Sequence, residues 1–211
     1  MAIKNLIFDF GGILIDLDWD RFHNNLRTLL KVEGGNEALQ KHYRELFIQY
    51  EVGAFSEGSF MYRLQEGVSH KITEREILDA WNSILVYLPQ ERLDYLLELR
   101  KEYKVYLLSN TNHSHIQWVR QDLRQRSGIT DFETRYFDHA YYSHDMKMRK
   151  PNLDIYQEVL SDAGIQGQES IFIDDTQENV DAAIAAGMLS VRHDPKDSII
   201  ECLPKYLKEQ S

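Results

Sequence analysis

The chain has 211 residues, of which 43% are hydrophobic and 27% charged, and its formal net charge is -10. This length suits one large domain, or a core with a modest insert, at the usual ~100–200 residues per domain. The acidic balance argues against nucleic acid and anionic membrane surfaces as partners, and no apolar stretch approaches the ~20 residues that a membrane span needs.

Residues 3–8 form a short apolar, β-branched run, which predicts a buried strand. The run ends at Asp9, and Gly11 and Gly12 follow it as a turn signal. From residue 19 to about residue 88 the apolar side chains recur at helical spacing. This stretch therefore predicts several helices with no strands between them.

Strand and helix patterns alternate in the second half of the chain. They predict strands at residues 105–108, 136–143, 170–173 and 189–191, and helices at 90–102, 151–163, 177–186 and from Thr111 or Asn112 onward. Such alternation favours a parallel sheet with helices on both faces. We therefore predict a Rossmann-like α/β core of residues 1–15 and 89–211. The helical segment, residues 16–88, is predicted to be inserted into this core as a small separate domain.

Polar side chains of interest follow three of the predicted strands. Asp9 follows the first strand, Ser109 the second, and Asp174 with Asp175 the third. Ligands of open parallel sheets bind beyond the carboxyl ends of the strands, so we expect these side chains to meet. Lys150 supplies a cation in a loop between two predicted elements.

These residue types are the parts that phosphoryl transfer requires. Asp9 can attack phosphorus, and Asp9, Asp174 and Asp175 together offer the oxygen ligands that Mg²⁺ prefers. Lys150 can neutralise the transferring group. The Ser109 hydroxyl and nearby backbone N–H groups can bind phosphate oxygens at a helix N-terminus.

Cys202 is the single cysteine, which excludes an intramolecular disulfide. The start of the chain has too short an apolar run for a signal peptide. We therefore expect a cytoplasmic protein, with a small phosphorylated molecule as its partner and a monomer as the default state.

Four motifs resemble those of the haloacid dehalogenase superfamily, in the family's order and over nearly the whole chain. They are residues 8–14 around Asp9, residues 107–110 with Ser109 and Asn110, Lys150-Pro151, and residues 172–175 followed by Asn179. The sequence is most similar to bacterial sugar-phosphate phosphatases of the α-glucose-1-phosphate phosphatase type.

The resemblance implies a magnesium-dependent phosphatase with an aspartyl-phosphate intermediate on Asp9. It implies that the Gly11 carbonyl binds the metal, that Ser109, Asn110 and Gly11 contact the substrate, and that the helical segment is a cap over the site. It also implies a sugar phosphate, such as glucose 1-phosphate, as substrate.

The chain departs from the family pattern at Gly11, where most of the phosphatases carry a second aspartate as acid and base. Loss of such a group costs roughly 10²–10⁴-fold. Asp16 and Asp18 are candidates to replace it. A leaving group of low pKa, such as an anomeric oxygen, would need less help.

Three alternatives stay open. A metal-independent 2-haloacid dehalogenase would also lack the second aspartate, but it would have no need for the Asp174–Asp175 pair. A phosphosugar mutase would need the acid that Gly11 replaces. A degenerate, non-catalytic binding or regulatory domain would have no need to keep Asp9 and Lys150.

Overall fold

A computed structural model describes residues 2–210, and its centre is a five-stranded sheet. The strands are β1 (Asn5–Phe8), β2 (Lys104–Ser109), β3 (His139–Tyr142), β4 (Ser170–Asp174) and β5 (Leu189–Arg192). Their order is β3-β2-β1-β4-β5, and every neighbouring pair is parallel. The prediction of a parallel α/β fold is confirmed.

Helices account for most of the remaining chain. Four lie between β1 and residue 88: α1 (Trp19–Leu30), α2 (Gly35–Glu51), α3 (Glu57–Glu66) and α4 (Glu74–Asn82). Between residues 89 and 210 the structure has seven more α-helices: α5 (Gln90–Leu99), α6 (His113–Ser127), α7 (Phe132–Tyr136), α8 (Ser143–Met146), α9 (Leu153–Ala163), α10 (Gln177–Ala185) and α11 (Ile199–Glu209). Among residues 2–210, no helix combines the length and the apolar character that crossing a bilayer demands.

The sheet is buried on both faces because successive residues of a strand point to opposite sides. In β1, Leu6 and Phe8 belong to the larger core on one face, while Ile7 belongs to a second core on the other. On that second face, Ile155 and Tyr156 of α9 pack in the same cluster as Ile7. Near-continuous apolar strands are the expected result of such double burial.

The segment by which the chain enters the helical region lies beside the segment by which it leaves. The Asp16 N–H donates to the Tyr87 carbonyl at 3.1 Å, and the Val86 N–H donates to the Asp16 carbonyl at 3.0 Å. Leu17 and Leu85 form an antiparallel bridge beside them. These crossings lie at the predicted ends of the helical segment, whose standing as a separate domain stays a prediction.

Helices α7, α8 and α11 were not among the elements that the sequence predicted, and α11 lies beyond the last of those elements. Helix α11 contributes Ile199 and Leu203, both of which are buried, to the larger core. Pro204 lies inside the helix. A proline at an interior position removes a backbone hydrogen bond and weakens the helical signal of the sequence.

The predicted N-cap at Asn112 also joins the helical segment to the core. The Asn112 Oδ1 accepts from the His115 backbone N–H and from the Trp81 indole Nε1, both at 3.1 Å. Its amide Nδ2 lies 3.1 Å from His115 Nδ1, and His115 Nε2 lies 3.2 Å from the Trp81 carbonyl. The Nδ2 amine of Asn112 can only donate, so His115 accepts on Nδ1 and carries its proton on Nε2.

We predict that Asn112→Ala lowers the free energy of unfolding by about 3 kcal/mol. The change removes a helix cap and leaves the buried Trp81 indole N–H without an acceptor. Urea denaturation measures the loss. Asn152→Ala is the matched control, because Asn152 is the N-cap of α9 but makes no side-chain cap bond. Equal losses in the two variants would contradict this role of Asn112.

Candidate active site

The predicted site residues meet because three parallel strands end at the same level. Phe8 of β1 is in register with Leu107 of β2 and with Ile173 of β4. The residue that follows β1 is Asp9, whose N–H donates to the Ile173 carbonyl at 2.8 Å. Asp9 and Asp174 are therefore side by side at the carboxyl edge of the sheet, as the sequence predicted.

Lys150 lies between these two carboxylates. Its Nζ is 2.7 Å from Asp9 Oδ1 and 2.7 Å from Asp174 Oδ2. The Lys150 side chain is 2% exposed and that of Asp174 is 0% exposed. An ammonium group has three protons, so a third donor is left after the two carboxylates are bound.

Further hydrogen bonds fix the orientation of Asp174. Asn179 Nδ2 donates to Oδ1 and Oδ2 of Asp174, both at 3.0 Å, and the Thr176 N–H donates to Oδ1 at 2.8 Å. The Asn179 carbonyl in turn accepts from the Tyr156 hydroxyl at 3.0 Å. The fourth sequence motif included Asn179. It did not point to the Thr176 backbone, which contributes through the turn that begins α10.

The carboxylates of Asp9, Asp174 and Asp175 form a group that could hold a metal ion. One oxygen from each lies within 4.8 Å of the others. This all-oxygen donor set matches the preference of Mg²⁺. Gly12, with φ of +75°, keeps the turn close to them, because a Cβ there would lie 2.9 Å from Asp175 Oδ2. Whether the Gly11 carbonyl also binds the metal stays a prediction.

The site has more carboxylate groups than ammonium groups, so a bound metal cation would balance its charge. Burial raises the pKa of Asp9 to about 7, with Lys150 opposing the rise and Asp174 adding to it. Burial, and then Asp174, also raise the pKa of Asp175. Burial would lower the pKa of Lys150, but Asp9 and Asp174 outweigh it and raise that pKa. Three carboxylates thus face one ammonium group, which is the charge distribution that a divalent cation would offset.

The two residues predicted to bind substrate from β2 have different surroundings. Ser109 is buried at the end of β2, two residues beyond Leu107, which is in register with Phe8. Asn110 instead exchanges two hydrogen bonds of 2.9 Å with the backbone N–H and carbonyl of Lys150. The amide of Asn110 therefore positions the loop that carries the lysine. A role of either residue in substrate binding stays a prediction.

The candidates for the missing acid are engaged elsewhere. Asp16 pairs with Arg92 Nη1 at 2.7 Å, and Asp18 caps α1 through the Arg21 N–H. Leu17 lies over Gly11, where a Cβ would meet the Leu17 Cδ1 at 2.8 Å. A side chain at residue 11, where the resemblance implies a second aspartate, would therefore require the end of Leu17 to move. Only the folded backbone reveals this contact, so the sequence could not predict it.

Comparison with known proteins assigns the family. The haloacid dehalogenase-like hydrolase family matches residues 3–187. The chain therefore belongs to the haloacid dehalogenase-like hydrolases, and the predictions of this family and of a hydrolase are confirmed.

Relatives of known structure or activity agree with this assignment. The chain is 31% identical over 180 residues to D-ribitol-5-phosphate phosphatase of Bacteroides thetaiotaomicron, covering 84% of this chain and 85% of that protein. A HAD family enzyme from the same organism is 34% identical, with a TM-score of 0.88 over 96% of this chain and 99% of the other. Its structure has also been solved with magnesium and inorganic phosphate, at 34% identity and a TM-score of 0.82, covering 93% of this chain and 97% of the other.

Dehalogenases of the superfamily are more distant. A 2-haloacid dehalogenase of Pseudomonas syringae is 18% identical, with a TM-score of 0.64 and full coverage of both chains. Likeness at this level concerns the fold alone.

We predict that Lys150→Met lowers the free energy of unfolding by about 3 kcal/mol at pH 8 in EDTA. The variant leaves the Asp9 and Asp174 carboxylates buried without their cation, which is costly. The loss should shrink at pH 5, because a protonated carboxyl group does not need the ammonium.

Denaturation with urea at the two pH values measures this effect. Lys205→Met is the control, since Lys205 is exposed on α11 and surface changes usually stay within about 0.5 kcal/mol. A loss for Lys150→Met that does not depend on pH would contradict the electrostatic explanation.

Proposed function

We propose that the protein is a magnesium-dependent phosphatase that hydrolyses a small phosphate monoester through an aspartyl-phosphate on Asp9. The observation that carries the proposal is the position of Lys150 Nζ, 2.7 Å from both Asp9 and Asp174. Beside it, the carboxylates of Asp9, Asp174 and Asp175 can hold a metal ion. Relatives that act on ribitol 5-phosphate or bind magnesium and phosphate support the proposal.

The first chemical step belongs to Asp9. A carboxylate oxygen of Asp9 attacks phosphorus, and the bond from phosphorus to the leaving oxygen breaks. Lys150 holds the attacking carboxylate in place. Its third N–H can donate a hydrogen bond to a phosphoryl oxygen, on which negative charge must be stabilised. Asp9, Asp174 and Asp175 would hold magnesium, which when bound would offset the negative charge of phosphate and carboxylates.

The second step returns the enzyme to its starting state. Water attacks the phosphorus of the aspartyl-phosphate, the bond between phosphorus and Asp9 breaks, and inorganic phosphate leaves. In both steps a proton must move without the second aspartate, because residue 11 is glycine. The proton that the attacking water loses passes to the departing phosphate or to solvent water. The leaving oxygen takes its proton from water or from the substrate itself.

The absence of a second aspartate and the activity of a relative favour a phosphorylated sugar or polyol as substrate. An anomeric oxygen, as in glucose 1-phosphate, is a better leaving group than an ordinary alcohol and depends less on an acid. A relative that acts on ribitol 5-phosphate supports the polyhydroxylated class. The negative net charge of the chain is no obstacle, since the phosphate contacts are local.

We predict that Asp9→Asn lowers phosphate release by more than about 10³-fold, because the amide cannot serve as the nucleophile. The measurement is Mg²⁺-dependent phosphate release from a panel of sugar phosphates and p-nitrophenyl phosphate, with unfolding curves as the check on folding.

EDTA should abolish the wild-type activity, whereas a 2-haloacid dehalogenase would be indifferent to it. Turnover that survives Asp9→Asn, or chloride release from a 2-haloacid in EDTA, would contradict the proposal. A degenerate binding domain would release no phosphate from any compound of the panel.

We predict that hydrolysis depends steeply on the pKa of the leaving group. Wild-type kcat/KM should rise strongly from alkyl phosphates to aryl phosphates with more acidic phenols. In the double variant Gly11→Asp, Leu17→Ala, the smaller alanine makes room for the new aspartate side chain, which can act as the acid. It should raise kcat/KM for glycerol phosphate, relative to p-nitrophenyl phosphate, by about 10²-fold.

Leu17→Ala alone is the control for lost packing. Equal wild-type rates for alkyl and aryl phosphates would show that another group already supplies the proton.

A further inference from the structure

Ser143 is a buried residue that has no part in the proposed chemistry. It begins α8, directly after β3, and is 0% exposed. Tyr142, which precedes it, is in register with Ser109 at the end of β2. Because parallel strands end at the same edge of a sheet, Ser143 lies beside the stretch of chain that continues from β2.

The Ser143 hydroxyl group binds this stretch and the helical segment. Its oxygen accepts from the Thr111 N–H at 2.9 Å and lies 2.9 Å from the Thr111 carbonyl. It also lies 2.6 Å from the carbonyl of Glu51, the last residue of α2. A hydroxyl group has one proton to donate, and the contact with Glu51 is the shorter one. The Glu51 carbonyl therefore orients the hydroxyl group so that its oxygen can accept from Thr111.

Asn110, which precedes Thr111, binds the backbone of Lys150. Its Oδ1 accepts from the Lys150 N–H, and its Nδ2 donates to the Lys150 carbonyl, both at 2.9 Å. Two consecutive residues thus hold both ends of the stretch 143–150, one through the Ser143 hydroxyl group and the other through the Lys150 backbone. Movement of this pair would move the backbone from which the lysine side chain starts.

The function of Lys150 depends on an accurate position. Its Nζ lies 2.7 Å from both Asp9 and Asp174. A misplacement of about 1 Å at an active site can lower the rate by about 10²-fold. The Asn110 amide can fix Lys150 only if its own backbone is fixed, and Ser143 binds the peptide group that follows Asn110.

We propose that Ser143 is a positioning residue for Lys150. Its hydroxyl group fixes Thr111, and the adjacent Asn110 amide then holds the backbone of the lysine. The inference rests on the proposed phosphatase function and adds to it a residue outside the charge cluster. Loss of the Ser143 hydroxyl group should therefore affect catalysis only while Lys150 is present.

A comparison of two backgrounds tests the inference. In the wild-type background, Ser143→Ala should lower kcat for p-nitrophenyl phosphate about tenfold, because the ammonium group is displaced from the carboxylates. In the Lys150→Met background, the same change should leave the residual kcat within about twofold. No ammonium group then remains to be displaced, and changes that act through a shared group are not additive.

Ser170→Ala is the matched control. Ser170 is also 0% exposed, and its hydroxyl group accepts from Asn5 Nδ2 at 3.0 Å and donates to the Gln166 carbonyl at 2.7 Å. It is the first residue of β4, at the opposite edge of the sheet from the site. Its loss removes buried hydrogen bonds, as Ser143→Ala does, but should leave kcat within about twofold in both backgrounds.

A role of Ser143 in folding alone gives a different pattern. Ser143→Ala would then lower kcat by the same factor with and without Lys150, or by no more than Ser170→Ala does. Either result overturns the inference. If Ser143→Ala does not fold, Ser143→Cys takes its place, because a thiol is only a weak donor and acceptor. The same dependence on Lys150 is expected.

Binding of inorganic phosphate in the presence of Mg²⁺ separates this inference from the proposed function, because it needs no turnover. In calorimetry, Ser143→Ala should weaken this binding about tenfold through the displaced N–H of Lys150, and Ser170→Ala should leave it within about twofold. This pattern without hydrolysis of any substrate overturns only the proposed chemistry. Hydrolysis by the wild type with equal phosphate affinities in all three proteins overturns only the inference.

Discussion

The site depends on one ammonium group shared by two buried carboxylates. Lys150 lies at 2.7 Å from both Asp9 and Asp174, where neither acid is well hydrated. Burial of an unpaired charge is expensive, so each of the three groups needs the others. The same contact holds together segments that are far apart in the chain, since β1, β4 and the loop before α9 each supply one member.

Neighbouring polar groups hold this charge cluster in place. Asn110 fixes the backbone of Lys150 from β2, and Asn179 fixes both oxygens of Asp174 from α10. Neither asparagine adds charge, so both orient the cluster without changing its balance. Negative charge still exceeds positive charge at the cluster, which gives the site its affinity for a cation.

The ends of the strands and the acids that follow them could be predicted from the sequence. A short apolar run that stops at a polar residue indicates a buried strand and its end without any knowledge of distant contacts. Ser109 and Asp174 end their strands and Asp9 directly follows β1, as that pattern predicts, whereas Lys150 lies in the loop before α9. Contacts across the fold could not be predicted in this way. The packing of Leu17 over Gly11 and the bonds from Asn110 to the Lys150 backbone depend on distances that only the folded chain defines.

The paired crossings at Asp16 and Val86 have a consequence for how such proteins diversify. The chain departs from the sheet and comes back at neighbouring points, joined by backbone hydrogen bonds of 3.1 and 3.0 Å. Insertions, deletions or wholesale exchange of the intervening helices would leave the ends of the scaffold in place. The helices between these two points can therefore change while the sheet edge that holds Asp9, Lys150 and Asp174 keeps its geometry.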